Sequence, residues 1–507
     1  MTRIASLLPT LALSFLSIVT AAKAELADLH LSVVPRTDAE ADRIARVIAP
    51  TTDFTKPEPF EANAAGAATV RITDTRNAFS QPSANISFER ELDFRVGNGL
   101  FKKLWVSSPS STLASDGLGP LFNARSCQRC HLKDGRGHPP EGPDDSRASM
   151  LMRISIPGGI APAEIADYLA TLPDPVYGGQ IQDLSVAGHP AEARIGITYT
   201  EETILLSGGE MAALRAPVYD LGSLGYGPPH PDAMFSPRVA PQMIGLGLLD
   251  AIPAADILAR ADAQDADGDG ISGRAQIVMS TTFDVPMLGR FGLKAGKPSV
   301  LEQSASAFSG DIGISTTLHP AGYGDCSVAQ DRCRAAPDGN SDAHDAVEIG
   351  DIGLALVAFY SSNLGVPARR DVDDPKVLRG KQVFYETGCI ACHTPKHVTH
   401  RLADQPEQSF QLIWPYTDML LHDMGPGLAD DRPEARATGQ EWRTPPLWGI
   451  GLTEQVSGHT YFLHDGRARS LLEAVLWHGG EAEPHKQSVI DMAPPDRAAL
   501  IRFLESL

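Results

Sequence analysis

Two stretches of this chain carry residue types spaced for cofactor chemistry, Cys127-Gln128-Arg129-Cys130-His131 and Cys389-Ile390-Ala391-Cys392-His393. Two thiols three positions apart can form thioether bonds to the two vinyl groups of one haem, and the histidine that follows falls beneath the macrocycle, where it can ligate iron. Zinc would need four ligands and further cysteine pairs, and a thioredoxin-like motif would need a βαβ pattern beside it; the sequence offers neither. Two covalently bound c-type haems are therefore expected, with His131 and His393 as iron ligands. The two cysteines that remain of six, Cys326 and Cys333, have no following histidine and are expected to form a local disulfide in an oxidising compartment.

The elements that position these motifs can be read around them. Met1-Thr2-Arg3, an apolar run from Ile4 to about Ala21 and Ala22-Lys23-Ala24 read as a secretory signal peptide over 1–24, which sends the chain to the periplasm. No later stretch reaches the ~20 apolar residues of a membrane span. Net charge is -20, and more negative once Arg3 and Lys23 leave with the leader; this argues against nucleic acid and anionic membranes as partners. It suits a basic electron donor. Residues 25–95 form an extension with one amphipathic segment, Asp38 to Ile48. A helix-spaced segment, Asn98 to Val106, precedes the first motif, and His138 is the nearest histidine after it, as a surface or propionate contact or as an axial ligand. Residues 150–235 alternate in short β-like runs and read as a small β insertion. Asp265, Asp267 and Asp269 with Gly270 match the front half of a calcium loop, whose twelfth position is Gln276 where a bidentate Glu is usual. Either a remote oxygen completes a calcium site, or the segment is a solvated turn. Val347 to Leu364 reads as a buried helix. The segment from Pro375 to Cys389 and the closing stretch from Pro495 to Leu507 have the spacing of the first and last helices of a cytochrome c.

Pro241-x-x-x-Gly245-x-Gly247-Leu248 recurs as Pro445-x-x-x-Gly449-x-Gly451-Leu452, so each haem motif is followed by the same element, the trace of an internal duplication. The expected class is mainly α: two tandem cytochrome c-type domains with long loops, the N-terminal one at 96–345 with its β insertion and Asp-rich loop, the C-terminal one at 346–507.

The stretch Tyr461-Phe-Leu-His464-Asp465-Gly466-Arg467 running to Trp477-His478-Gly479-Gly480 resembles the C-terminal half of bacterial di-haem cytochrome c peroxidases and the related tryptophan-modifying di-haem enzyme. More widely, Gly117 to Pro140, Ser236 to Arg274, Val366 to Cys392 and Trp414 to Ala482 resemble the di-haem oxidoreductase family of peroxidases and thiol oxidoreductases. The resemblance implies that His478 stands where relatives carry the distal ligand of the second haem, as Met or Tyr. Met424, in a Gly-Pro turn, is the rival ligand, and His464 orients the haem or a bound water. It also places Gln242 near the distal Gln or Glu of relatives, able to hydrogen-bond peroxide and unable to take its proton. The implied activity is reduction of hydrogen peroxide at the first haem, with electrons passed through the second from a small periplasmic cytochrome or copper protein. A pure electron carrier with both irons six-coordinate is the alternative. Oxidation of a thiol or protein substrate, implied by the family name alone, finds no spare cysteine.

Overall fold

The computed structural model describes residues 26–507 except 113, 143, 144 and 146–148, so the leader read at 1–24 lies outside the described residues. Helix α1 (Asp38–Ile48) opens on a capping box formed by Thr37 and Glu40, and α2 (Phe88–Lys102) on Ser87. Next come β1 (Met150–Pro157), a long hairpin of β2 (Arg194–Leu206) and β3 (Glu210–Gly222), and β4 (Met234–Val239). β4 runs antiparallel to β1 with Leu151 opposite Arg238 and Arg153 opposite Ser236. The remaining helices that matter for the site are α3 (Asp351–Ser362), α4 (Pro375–Glu386), α5 (Leu471–Leu476) and α6 (Pro494–Ser506).

The mainly α expectation is corrected: the chain is 29% helical with 19% strand spread over many small sheets. The physical reason lies in its 46 glycines and 39 prolines. They cut the chain into loops, whose backbone groups are then satisfied by bridges of two or three residues, such as Val33–Val34 on Arg401–Leu402 and Leu421–Asp423 on Glu441–Arg443.

Within this mixed architecture one packing pattern occurs twice. α2 packs on α3, and α4 on α6. Each pair crosses at a glycine: a Cβ on Gly97 would lie 2.1 Å from the Leu356 carbonyl oxygen, and one on Gly380 1.9 Å from that of Ala499. From each crossing an aromatic pair leads to a motif histidine. Tyr360 meets Phe101 at 5.1 Å and Phe101 meets His131 at 6.3 Å; Phe503 meets Phe384 at 5.1 Å and Phe384 meets His393 at 6.2 Å. The two copies of the Pro-Gly-Gly element also face one another. A Cβ on Gly245 would strike the Trp448 ring at 2.2 Å, and one on Gly449 the Ile244 side chain at 2.6 Å, both glycines having φ near +72°. The division expected at residue 346 groups α3 with the C-terminal half, yet the helix it packs on is α2.

The N-terminal extension is pinned to the C-terminal half. Glu61, 2% exposed, accepts from Lys381 at 2.8 Å and pairs with Arg369, while Glu58 takes Lys381 and Lys396. The β2–β3 hairpin of the N-terminal half reaches the C-terminal half as well. Leu206 and Leu214 pack on Leu476 of α5, and Tyr219 donates to Asp465 at 2.6 Å. Cys326 and Cys333 are bonded.

Two outcomes are expected. Gly380→Ala should cost about 1–3 kcal/mol through overpacking, outweighing the ~1 kcal/mol that alanine gains in a helix; an unchanged or raised Tm would show that the crossing can open. Burial pushes the Glu192 carboxyl up to about 8, against the bonds it accepts from Gln330 and the Gln182 amide. It is thus protonated when folded and ionised when unfolded between about 4.5 and 8, so stability should fall as pH rises through that window. Glu192→Gln should flatten this slope in denaturant titrations; an unaltered slope would contradict the assignment.

Candidate functional site

Both Cys-x-x-Cys-His motifs line one cavity of about 740 Å³, together with Gln242, Met424, Trp442, His464 and His478. Four imidazoles are oriented in the same way within it, the fourth being His485, whose Nδ1–H donates to the Thr387 carbonyl at 2.7 Å; the other three are the expected ligands. The Nδ1–H of His131 donates to the Pro241 carbonyl at 2.8 Å, that of His393 to Tyr416 at 3.0 Å, and that of His478 to Ala474, one turn back from the end of α5, at 2.8 Å. A carbonyl only accepts, so each ring carries its proton on Nδ1 and leaves Nε2 as a bare lone pair, the arrangement of a metal-ligating histidine. Burial lowers His131, His393 and His478, the second to about 4, which keeps them neutral. His478 stands close enough to add to the depression of His393. His131 feels no second histidine but the carboxylate of Asp311.

The four motif thiols are unpaired. Burial pushes Cys127 and Cys389 up to about 12, and Cys130 and Cys392 upward as well. Two pairs of unpaired thiols lining a cavity sized for a large ligand fit thioether attachment of haem. Two thiol pairs, each followed by a histidine with a bare Nε2, and the further imidazole of His478 suit two such groups.

The other expected residues fall as follows. His464 has its Nε2 without a hydrogen bond among the described residues, 3.8 Å from the Asp465 carboxylate, and lies flat on Trp442, centroids 3.8 Å apart at 12°. Trp442 donates to the Leu428 carbonyl at 2.9 Å, and the Lys294 ammonium sits 4.6 Å from its ring while pairing with Asp430 at 2.7 Å. The Gln242 amide donates to the Trp448 carbonyl at 2.6 Å. Met424 lines the cavity. His138 is not brought to it: its Nδ1 bonds the Pro139 carbonyl at 2.8 Å and its ring packs 5.4 Å from His459. In the Asp-rich loop Asp265 and Asp267 converge with Asp262, their ligand atoms within 4.8 Å. Asp269 lies outside that group and accepts from the Ile271 amide.

Sequence reasoning missed three features. His422, beside Cys392, is clasped by Asp418 at 2.7 Å and Glu481 at 2.8 Å. Although burial opposes its charge, these carboxylates hold it well above the usual histidine range. Asp311 lines the cavity near the first motif. A group of cations meets Glu434, which accepts from Arg238 at 2.7 Å and Arg432 at 3.2 Å. The one signal in the sequence was Arg153, the single charge in a strand that is otherwise apolar but for Ser155.

A family model described as "Di-haem oxidoreductase, putative peroxidase" matches residues 60–507. The chain belongs to the di-haem oxidoreductase family. Among solved structures it is similar to Kuenenia stuttgartiensis hydrazine synthase pressurised with xenon, at 15% identity and a TM-score of 0.23 over 37% of this chain and 64% of that one. No curated protein matches. Among the described residues no helix of this di-haem oxidoreductase is long and apolar enough to cross a membrane.

Lys294 and Asp430 are both fully buried. Lys294→Met should therefore cost about 3–5 kcal/mol by stranding the carboxylate, with much of the loss recovered in Lys294→Met/Asp430→Leu. Equal stability of the single variant and the unaltered protein in denaturant titrations would contradict this.

Proposed function

We propose that this di-haem oxidoreductase is a periplasmic c-type enzyme that reduces hydrogen peroxide at the first motif, with electrons arriving through the second from a small cytochrome or copper protein. The observation that carries the reading is the asymmetry of the cavity: His393 has His478 beside it, whereas His131 has a carboxylate. Cys127, Cys130 and His131 would hold one haem, and Cys389, Cys392, His393 and His478 the other. When bound, these haems supply one-electron redox chemistry and a coordination position for a small oxidant.

The protein's own residues then have distinct tasks. Reducing one hydrogen peroxide to two waters takes two electrons and two protons, so a group must move protons at the peroxide oxygens. Gln242 can donate a hydrogen bond and cannot take a proton, and its amide is committed to Trp448. Asp311 can take one. It shares the cavity with His131, and Gln180 orients it at 2.9 Å. The apolar rings of Phe101 and Phe308 keep that end of the cavity dry. The acidic surface suits a basic electron donor. A calcium ion at Asp262, Asp265 and Asp267 completes the proposal; Ser272, at the end of their loop, bonds Glu481, which clasps His422 beside Cys392.

The test is stopped-flow oxidation of fully reduced, periplasm-matured protein by hydrogen peroxide. Rapid loss of both reduced haem bands is expected, slowed roughly 10²–10⁴-fold in Asp311→Asn at unchanged haem content. Reduced bands that persist with peroxide would instead favour the electron-carrier reading.

A further inference from the structure

The cavity holds more positive charge than its own residues balance. Arg153 on β1 and Arg238 on β4 lie on one face of the same sheet, because Leu151 is paired with Arg238 and Arg153 with Ser236. Arg432, on a loop from the C-terminal half, and Lys297 approach the same place. All four line the cavity and act on Glu434, while Asp325 also faces Arg153 and Arg432, and Glu302 faces Lys297. Glu434 is engaged by Arg238 and Arg432. The Arg153 guanidinium and the Lys297 ammonium have no hydrogen-bond or ion-pair partner among the described residues, and the Arg153 and Arg432 Nε atoms are buried and unsatisfied. Asp430 does not relieve the excess, since Lys294 and Ser236 already take it. Half-buried cations whose Nε atoms lack hydrogen bonds are costly, and guanidinium groups in a fixed fork are suited to carboxylates.

We propose that Arg153, Arg238, Arg432 and Lys297 form a carboxylate-binding subsite that receives the two propionates of the haem carried on Cys127, Cys130 and His131. Chain connectivity places it at the correct edge. Arg238 precedes by three residues Pro241, whose carbonyl holds His131, and at ~3.3 Å per residue of strand the two are about 10 Å apart. The cysteines take the vinyl edge of the macrocycle, and the propionates leave from the opposite edge. The two haem propionates would then join Glu434, with Asp325 and Glu302 flanking it, around the four cations. Because β1 and β4 come from the N-terminal half and the Asp430–Glu434 loop from the other, the first haem would be gripped by both halves.

This inference rests on haem attachment at the first motif, and the experiment separates the two. Protein matured in a periplasm is analysed for covalent haem content and, by spectroelectrochemistry, for the midpoint potential of each haem. Two haems per chain are expected in Arg153→Gln and Arg432→Gln, because the thioethers remain. The first haem's potential should shift downward, since a lost cation favours the oxidised, more positive state, while the second haem's should hold. Arg153→Lys, which keeps the charge, should restore most of the shift. Unchanged potentials in both glutamine variants, or a shift confined to the second haem, would overturn the subsite. So would Arg153→Lys falling as far as Arg153→Gln, which would mark a packing role. A spectral shift of the unaltered protein with added succinate, abolished by Arg153→Gln, would assign the cations to a diffusible carboxylate and overturn the propionate assignment. Absence of haem at the first motif in unaltered protein would defeat the underlying reading itself.

Discussion

A backbone carbonyl aimed at each of the imidazoles of His131, His393 and His478 is the constraint on which the site depends. His131, His393 and His478 are enclosed in a cavity that disfavours their charged form, and each gives its Nδ1 proton to a main-chain oxygen. That single bond decides the tautomer, aims Nε2 inward and keeps the ring from rotating. The acceptors belong to three different segments, Pro241, Tyr416 and Ala474, so the cavity can be correct only if loops far apart in sequence are held in register.

The duplicated packing supplies that register. Helices touching through Gly97 and Gly380, aromatic pairs behind each motif histidine, and Pro-Gly-Gly elements stacked through Gly245 and Gly449 make two similar frames that share a contact. Around similar frames the surroundings have diverged. The second frame adds α5, which leads into His478 and is clamped by the β2–β3 hairpin through Leu206 and Leu214, while Tyr219 holds Asp465. The first adds a sheet face carrying arginines and the carboxylate of Asp311. Two similar scaffolds therefore surround their motif histidines with opposite chemistry, a second imidazole at one and charged groups at the other.

Much of this was legible in the sequence, for identifiable reasons. The Cys-x-x-Cys-His motifs, the repeated proline–glycine element and the helices at Pro375 and Pro494 are local patterns, and local patterns survive without tertiary context. His478 was found through its distance from the His464 turn, which a resemblance supplied. The helical class was misjudged because strands of two or three residues leave no periodicity, only loop-like composition. The packing of α3 on α2 spans some 250 residues of intervening chain, so no pattern near either helix announces it. His138 was drawn in by its nearness to His131 in sequence, but the turn at Pro139 holds its ring against His459. The cation group at Glu434 is assembled from four separate segments and has no signature beyond the single arginine in β1.

The central claim is that the two motifs hold irons in different states, one closed between His393 and His478 and one open at His131. Electron paramagnetic resonance of periplasm-matured protein, in the oxidised and half-reduced states, tests it directly. The account predicts one low-spin signal that Met substitution at His478 alters, and one high-spin signal that cyanide abolishes. Two low-spin signals in both redox states would contradict it.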